Sequence, residues 1–412
     1  MQFTQENSRL GVIQKIVTFL KDVLYVVKVT GDQALVKKIN KSLILHTIRK
    51  HAELSRARIS EMTGLNKATV SNLVAELQED QLVLEAGPGE SSGGRKPLIL
   101  HFNAMAGCVI GMELRVKQLT AVLCDLNGSV LREAESPLYQ HDLPYVFEAM
   151  KTMIATLIDA APLTHYGIVG IGVGVPGMVD EHGVVLFAPN LGWEKIHLRE
   201  LLEENFSIPV IIDNEANSGA LGELNFGRGE DVRHLLYISA GSGIGSGIII
   251  GGELYKGSRG YAGETGHMCI EAEGTPCSCG SRGCWELYAS EKAYDLAALE
   301  LPAYHTRELI RYADQGNAAA CQQFAVMGTY LGIGLTNLIN SFNPELIVIG
   351  GALSEARGWL EGPMQQVVAR CTLPYHKQQL EIAFSTLGSR AAMIGAGFSA
   401  AIHFLGHTRV MM

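Results

Sequence analysis

The 412-residue sequence has no surplus of positive charge: 33 Lys and Arg stand against 42 Asp and Glu, a net charge of −9. That balance argues against a protein coated with nucleic acid over its whole surface. Long apolar runs are missing too. The nearest approach, GVIQKIVTFLKDVLYVVKV at 11–29, is interrupted by Lys15, Lys21, Asp22 and Lys28, so it is not expected to span a bilayer, and no small-residue cleavage site follows it. Cysteine is sparse: eight residues, scattered except for one cluster. This excludes the disulfide framework of a small secreted domain and is expected of a reducing, cytoplasmic compartment. No long low-complexity linker interrupts the chain. What is present is ample apolar material, 47% of residues, enough for a sizeable core, and a length that suggests two or three domains.

Residues 1–30 read as an N-terminal extension. Ile13, Ile16, Val17, Leu20, Leu24 and Val27 recur at helical spacing, which fits an amphipathic helix packed on the protein or on a second copy; an extension without function is the other reading.

Charge is uneven along the rest. Residues 31–103 hold ten Lys/Arg and eight Asp/Glu, whereas 104–412 hold nineteen and thirty-two, so a different partner is expected for each part. The front part carries helical periodicity over 33–50, followed by LSRARISEMTGLNKATVSNLVAELQEDQLV. Ser55 can cap a helix ending near Thr63, Gly64 suits a tight turn needing positive φ, and Asn66 can cap a second helix running to about Asp80. Ile59, Met62, Leu65, Val70, Leu73, Val74 and Leu77 are placed to bury one side. On the other side Asn66, Lys67, Thr69, Ser71 and Asn72 offer short donors and acceptors in the first turns, the kind that reach base edges in a major groove. Then LVLEAGPGESSGGRKPLILHF reads as strand, glycine-rich tip and strand, with Arg95 and Lys96 suited to phosphates or a minor groove. This is the pattern of a winged helix-turn-helix over 31–103. A three-helix protein-interaction module is the alternative, and Arg56 and Arg58 fit either phosphate contact or a solvated face.

In residues 104–412, strands flank the Asn127-Gly128 turn, and β-hairpin-plus-helix segments recur around YGIVGIGVGVPGMVD, HLLYISAGSGIGSGIIIGGELY and NPELIVIGGALSEA. Two such halves suggest a duplicated α/β architecture with a cleft between lobes. Within it, GHMCIEAEGTPCSCGSRGCWE supplies one imidazole and three thiols: His267, Cys277, Cys279 and Cys284. A Cys₃His tetrahedron suits Zn²⁺ and would be closed, hence structural; buried free thiols or a redox pair are the alternatives. Cys269 falls outside the set and is expected to pack.

The motifs VGVPGMVD, PNLGW, DNEANSGALGE, GETGHM, CSCGSRGCWE and IGGALS make 104–412 similar to the ROK family of sugar kinases and sugar-responsive repressors. That resemblance implies an actin-like two-lobe ATPase fold preceded by the winged helix-turn-helix. It implies structural zinc at the four ligand positions and sugar contacts at Asn190, Asn214, Glu215, Glu264, His267 and Glu286. These are planar carboxylate, amide and imidazole groups of the kind that pair with vicinal hydroxyls. Gly177 is expected to let a sugar approach the backbone, and Trp193 and Trp285 fit core packing better than stacking on a sugar. With GLNKATVS, SSGGRKP and CWELYASEKA in place, the chain resembles the branch of the family that represses xylose-utilisation genes. Operator DNA, a sugar effector such as xylose and a homodimer or higher homo-oligomer are then the expected partners, with no membrane.

The resemblance also separates a sensor from a kinase. ATP-using members carry an Asp-x-Gly-Gly-Thr turn that cradles phosphate. Here Glu113 stands for the Asp, and Arg115, Val116 and Lys117 replace the glycines and threonine. Their catalytic Asp, in Asn-Asp-Ala-Asn, is Glu215 here, one methylene longer; a misplacement of about 1 Å can cost ~100-fold in rate, so the change alone does not exclude catalysis, but together with the lost turn it argues against a kinase. The expectation is a non-enzymatic repressor. An ATP-dependent hexokinase with an appended DNA-binding module, or a scaffold that binds protein through its front module, are the competing classes.

Overall fold

The computed structural model describes residues 33–51, 53–88, 98–294 and 306–407. The extension at 1–30 lies outside them, as do Arg95 and Lys96. The chain divides into two compact units between Phe102 and Asn103.

The first unit contains α1 (Gln33–Lys50), β1 (Leu54–Ser55), α2 (Arg56–Thr63), α3 (Lys67–Glu79), β2 (Val83–Pro88) and β3 (Leu98–Phe102). The strands form an antiparallel sheet in the order β1-β3-β2. Each helix boundary has a local cause. The Ser55 hydroxyl accepts from the Arg58 amide at 3.2 Å and starts α2. Gly64 ends it at φ +73°, where its amide donates to the Ser60 carbonyl, a conformation that costs a side-chain-bearing residue energy. Asn66 Oδ1 accepts from the Thr69 amide at 2.8 Å and starts α3. Ile44, Ile48, Ile59, Val70, Leu73, Val74, Leu77 and Leu100 form the buried centre. Met62, expected inside, is 40% exposed: it lies in the last turn of α2, where the chain is already turning out toward Gly64.

The second unit repeats one sheet topology. Its first lobe runs β4 (Cys108–Leu114), β5 (Gln118–Asp125), β6 (Val130–Pro137), α4 (Leu143–Asp159) and β7 (Ile168–Val175). A small meander follows, β8 (Met178–Val179), β9 (Val185–Ala188) and β10 (Trp193–Ile196), then α5 (Leu198–Phe206), β11 (Val210–Asn214) and α6 (Glu215–Phe226). The second lobe runs β12 (Leu235–Ala240), β13 (Ile244–Ile250), β14 (Glu253–Leu254), a single turn α7 (Glu286–Ala289), α8 (Thr306–Asp314), α9 (Ala318–Phe342), β15 (Leu346–Gly350), α10 (Arg357–Cys371), β16 (Glu381–Phe384) and α11 (Ala391–His407). The sheet orders are β11-β7-β4-β5-β6 and β14-β13-β12-β15-β16. In each, three antiparallel strands are extended by two parallel ones. The apolar runs of β4, β7 and β15 are buried along nearly their whole length, as expected for strands covered on both faces.

Two helices tie the lobes together. α11 lies across β4 and β7 and packs along α6, which in turn packs on β12 and β13. The approach is so close that a Cβ on Gly172 would sit 1.9 Å from the Ala396 carbonyl oxygen. Glycine here is a packing requirement between sheet and helix.

Candidate ligand cleft, metal centre and nucleic-acid interface

A cleft of about 1300 Å³ opens in the second unit, and all seven residues expected to hold a sugar line it: Gly177, Asn190, Asn214, Glu215, Glu264, His267 and Glu286. Their backbone origins differ. Asn214 ends β11 and caps α6: its Oδ1 accepts from the amides of Ala216 at 2.7 Å and Asn217 at 3.3 Å, and its Nδ2 donates to the Gly177 carbonyl at 3.0 Å. Most of its hydrogen-bonding capacity is therefore spent on joining the start of α6 to the end of β7. Gly177 lines the cleft and has a packing role as well. A Cβ there would lie 2.5 Å from the Phe187 carbonyl oxygen and 2.8 Å from Ala188 Cβ, so glycine admits the meander strand β9. Asn190 is exposed in the turn after β9.

Glu215 is the first residue of α6, and its Oε2 is shut off from solvent with no hydrogen-bond partner. Burial, reinforced by the neighbouring carboxylates of Glu113 and Glu264, pushes its carboxyl up to about 8. It is therefore largely protonated at neutral pH and can donate as well as accept a hydrogen bond. Glu264 is also pushed up, by burial and by Glu286, with His267 opposing. Glu286 is buried at the start of α7; its Oε1 accepts from Lys292 Nζ at 2.8 Å and lies 3.5 Å from Cys277 Sγ and 3.8 Å from His267 Nδ1.

The turn between β4 and β5 is filled by its own side chains. Glu113 is buried, and Arg115 donates to its Oε2 at 2.6 Å and to the Ser389 carbonyl at 2.8 Å. The turn is closed by a bond from the Arg115 amide to the Gln118 carbonyl at 2.8 Å, and His141 Nε2 lies 2.6 Å from the Val116 carbonyl. The cleft as a whole is acidic: Glu113, Glu135, Glu215, Glu264, Glu286 and Glu291 line it against Arg115, Lys117 and Lys292.

His267, Cys277, Cys279 and Cys284 form the group expected to hold a metal, with ligand atoms all within 4.8 Å of one another. Cys279 and Cys284 sulfurs are 3.7 Å apart, and Cys277 Sγ is 3.7 Å from His267 Nδ1. A tetrahedral ion with Zn–S bonds of ~2.3 Å separates its sulfurs by about 3.8 Å, which the two 3.7 Å pairs match, while the widest pair, within 4.8 Å, would draw together around such an ion. All four thiols of the region are free. Cys269, expected to pack inside, is exposed. It pairs across a short bridge with Cys284, on the rim of the loop. The two tryptophans are core residues: Trp193 Nε1 donates to the His141 carbonyl at 2.7 Å, and Trp285 Nε1 to the Tyr330 carbonyl at 2.9 Å.

In the first unit, α3 presents Lys67, Ala68, Ser71, Asn72 and Ala75 as exposed residues on one face, while Thr69 is half-buried. Asn66 is exposed, but its Oδ1 is committed to the cap, leaving its amide hydrogens available. Ala68 and Ala75 did not stand out in the sequence; small apolar residues at this spacing suit thymine methyl groups. Arg56 is held by Glu85 at 2.7 Å and by Gln78 at 3.0 Å, and Arg58 by Glu61 at 3.0 Å. Both are intramolecular ion-pair residues. Among the described residues no helix is long and apolar enough to cross a membrane.

These features define a class: a two-lobe, actin-like ligand-binding domain joined in one chain to a winged helix-turn-helix. The sequence pattern of the ROK family matches residues 109–401, and that of a winged helix-turn-helix DNA-binding domain matches 39–83. The chain belongs to the ROK family. It is 40% identical over 385 residues to the xylose repressor of Bacillus spizizenii, covering 91% of this chain and 98% of that one. It is 30% identical over 378 residues to the DNA-binding transcriptional dual regulator NagC of Escherichia coli, covering 89% and 93%. A crystal structure of a ROK family transcriptional regulator, a homolog of the E. coli MLC protein, superposes with a TM-score of 0.78 at 28% identity, over 91% of this chain and 98% of that one. A ROK family glucokinase from Streptomyces griseus, in complex with glucose and AMPPNP, gives 0.65 at 27% identity, over 71% and 98%.

Proposed function

We infer that the protein is a sugar-responsive transcriptional repressor of sugar-utilisation genes, with xylose as its effector. It acts in the cytoplasm as a homodimer or higher homo-oligomer. One observation carries the choice of sensor over kinase: Arg115, folded onto Glu113 and Ser389, fills the turn where ATP-using relatives need bare glycine backbone. The acidic lining of the cleft supports the same choice, because a triphosphate would meet more carboxylates than cations.

The cleft holds a neutral sugar through Asn190, Glu215, Glu264, His267 and Glu286. Asn214 acts mainly by fixing the start of α6. Zinc on His267, Cys277, Cys279 and Cys284 supplies a closed structural tie, not chemistry. His267 Nδ1 and the three thiols hold it, which fixes the imidazole's orientation at the cleft wall. Sugar contacts at the first residues of α6 bias the packing of α6 against α11, and closure of the lobes changes the spacing of two DNA-reading modules in the oligomer. Each α3 enters a major groove through Lys67, Ser71 and Asn72, assisted by Asn66 and Thr69, and Arg95 and Lys96, outside the described residues, contact phosphate. A sugar can shift this equilibrium only by binding one state more tightly.

One observation favours the kinase reading. A carboxyl near 8 at the position of the family's catalytic Asp is in the range of a tuned general base. Thermal-shift measurements on the purified protein against a panel of pentoses and hexoses, with and without ATP, separate the two. Stabilisation by xylose that is indifferent to ATP supports the sensor; sugar-dependent stabilisation by ATP together with sugar phosphorylation would overturn it.

A further inference from the structure

The cleft is larger than a pentose needs. Pockets for drug-sized ligands run to roughly 300–1,000 Å³, and this one is about 1300 Å³. The groups suited to hydroxyls are concentrated around Glu215, Glu264, His267 and Glu286. The meander wall is of another character: Met178, Phe187 and Pro189 line the cleft there, with Pro137 from the end of β6. Phe187 is 43% exposed, and among the described residues it is the one exposed large apolar side chain in the cleft lining. Phe187 does not stand alone: with Met178, Pro189 and Pro137 it forms an apolar wall beside the polar ligand groups, and such a patch marks a contact surface. Its placement is built in: Gly177 admits the Phe187 carbonyl at a distance no side chain would allow, and β9 pairs with β8 and β10 on either side of it.

We propose that Phe187 is the floor of a second sugar subsite, which takes the apolar face of a further ring, so that neutral pentose disaccharides bind in the cleft as well as the monosaccharide. This rests on the reading of the cleft as a sugar site. The ligand class follows from the lining: an apolar ring face for Phe187 and Met178, and no phosphate, since carboxylates outnumber cations along the walls.

The test is calorimetric titration of the full chain with xylose and with xylobiose, for the wild type, Phe187→Ala and Phe187→Trp. Both sugars bind the wild type. Phe187→Ala lowers the xylobiose-to-xylose affinity ratio by about tenfold, the loss expected from removing one apolar contact face, and Phe187→Trp restores it. Thermal denaturation of each variant shows that the fold is retained. Xylose binding without xylobiose binding overturns the second subsite and leaves the sensor reading intact. An equal loss for both sugars in Phe187→Ala makes Phe187 a clamp on a single ring and also overturns it. Binding of neither sugar overturns the sensor reading together with this one.

Discussion

Replacing Glu215 by Gln tests the electrostatics of the cleft most sharply. One carboxyl oxygen, Oε2, is shut off from solvent at the start of α6, and burial together with the charges of Glu113 and Glu264 raises the group from the ordinary 4.5 to about 8. At ~1.4 kcal/mol per pH unit this corresponds to a bias of up to ~5 kcal/mol toward the neutral form. The sign follows from proton linkage. Between these two values the folded chain holds the proton and the unfolded chain has released it. Stability therefore falls as pH rises from 4.5 toward 8, and is insensitive to this group below and above that window. Gln keeps the shape and cannot ionise, so the variant does not pay this penalty. Thermal denaturation of wild type and Glu215→Gln, without sugar, at pH 5, 6, 7 and 8 gives the readout as a difference between the two chains. Titrating groups remote from the cleft contribute equally to both and cancel, whereas Glu113 and Glu264, which interact with Glu215, add to the difference. The two melt together at pH 5, and the variant melts several degrees higher at pH 8. A difference that stays flat across the window, or a variant that melts lower at pH 8, would refute the assignment of a neutral, buried carboxyl.

Three further outcomes follow from the same physical reading. Purified protein carries one zinc per chain by atomic absorption; Cys284→Ser loses it and lowers the melting temperature sharply, because the thiolates and imidazole held 3.7 Å apart lose their common partner. On the DNA side, Asn72→Ala weakens operator binding by about 1–3 kcal/mol and relaxes sequence preference, whereas Lys67→Ala weakens all sequences alike and reduces the salt slope by about one, both read by fluorescence anisotropy. Gly172→Ala, whose Cβ would be driven into the Ala396 carbonyl, destabilises the second unit by several kcal/mol in chemical denaturation, while α3 keeps its DNA-independent fold.

Local chemistry was the most legible part of the sequence. Ser55, Gly64 and Asn66 announced the helix boundaries of the first unit because caps and turns act over three or four residues. The Cys-Ser-Cys spacing and His267 likewise picked out the four side chains that the fold gathers into a group able to hold a metal, since most of them lie on one short loop. Residues drawn together on the cleft by the family pattern include Asn190 and Glu286, almost a hundred positions apart. What escaped depended on partners distant in sequence. Arg115 reaches the carbonyl of Ser389, and nothing near either residue signals it. Lys292 was within view in CWELYASEKA, but its bond to Glu286 required the single turn of α7 to bring the two together. Gly177 lines the cleft, but the close approach of β9, which also requires glycine there, was not legible in the sequence. Phe187 gave no signal in a four-residue apolar strand with both ends buried; its exposure became meaningful only once the strand was seen to form a wall of the cleft. Arg56 could not be told from a phosphate contact until Glu85 was found beside it.

The central claim is that a cleft built on a kinase scaffold grips sugar without nucleotide and reports its occupancy to the DNA-reading helix. The most direct measurement is the anisotropy of a labelled palindromic operator duplex titrated with the full chain, with no sugar, with xylose, with ATP, and with both. Tight binding that xylose weakens at least tenfold, and that ATP leaves unaltered in either condition, is the predicted result. Operator affinity indifferent to every sugar, or release that requires ATP and yields a phosphorylated sugar, would contradict it.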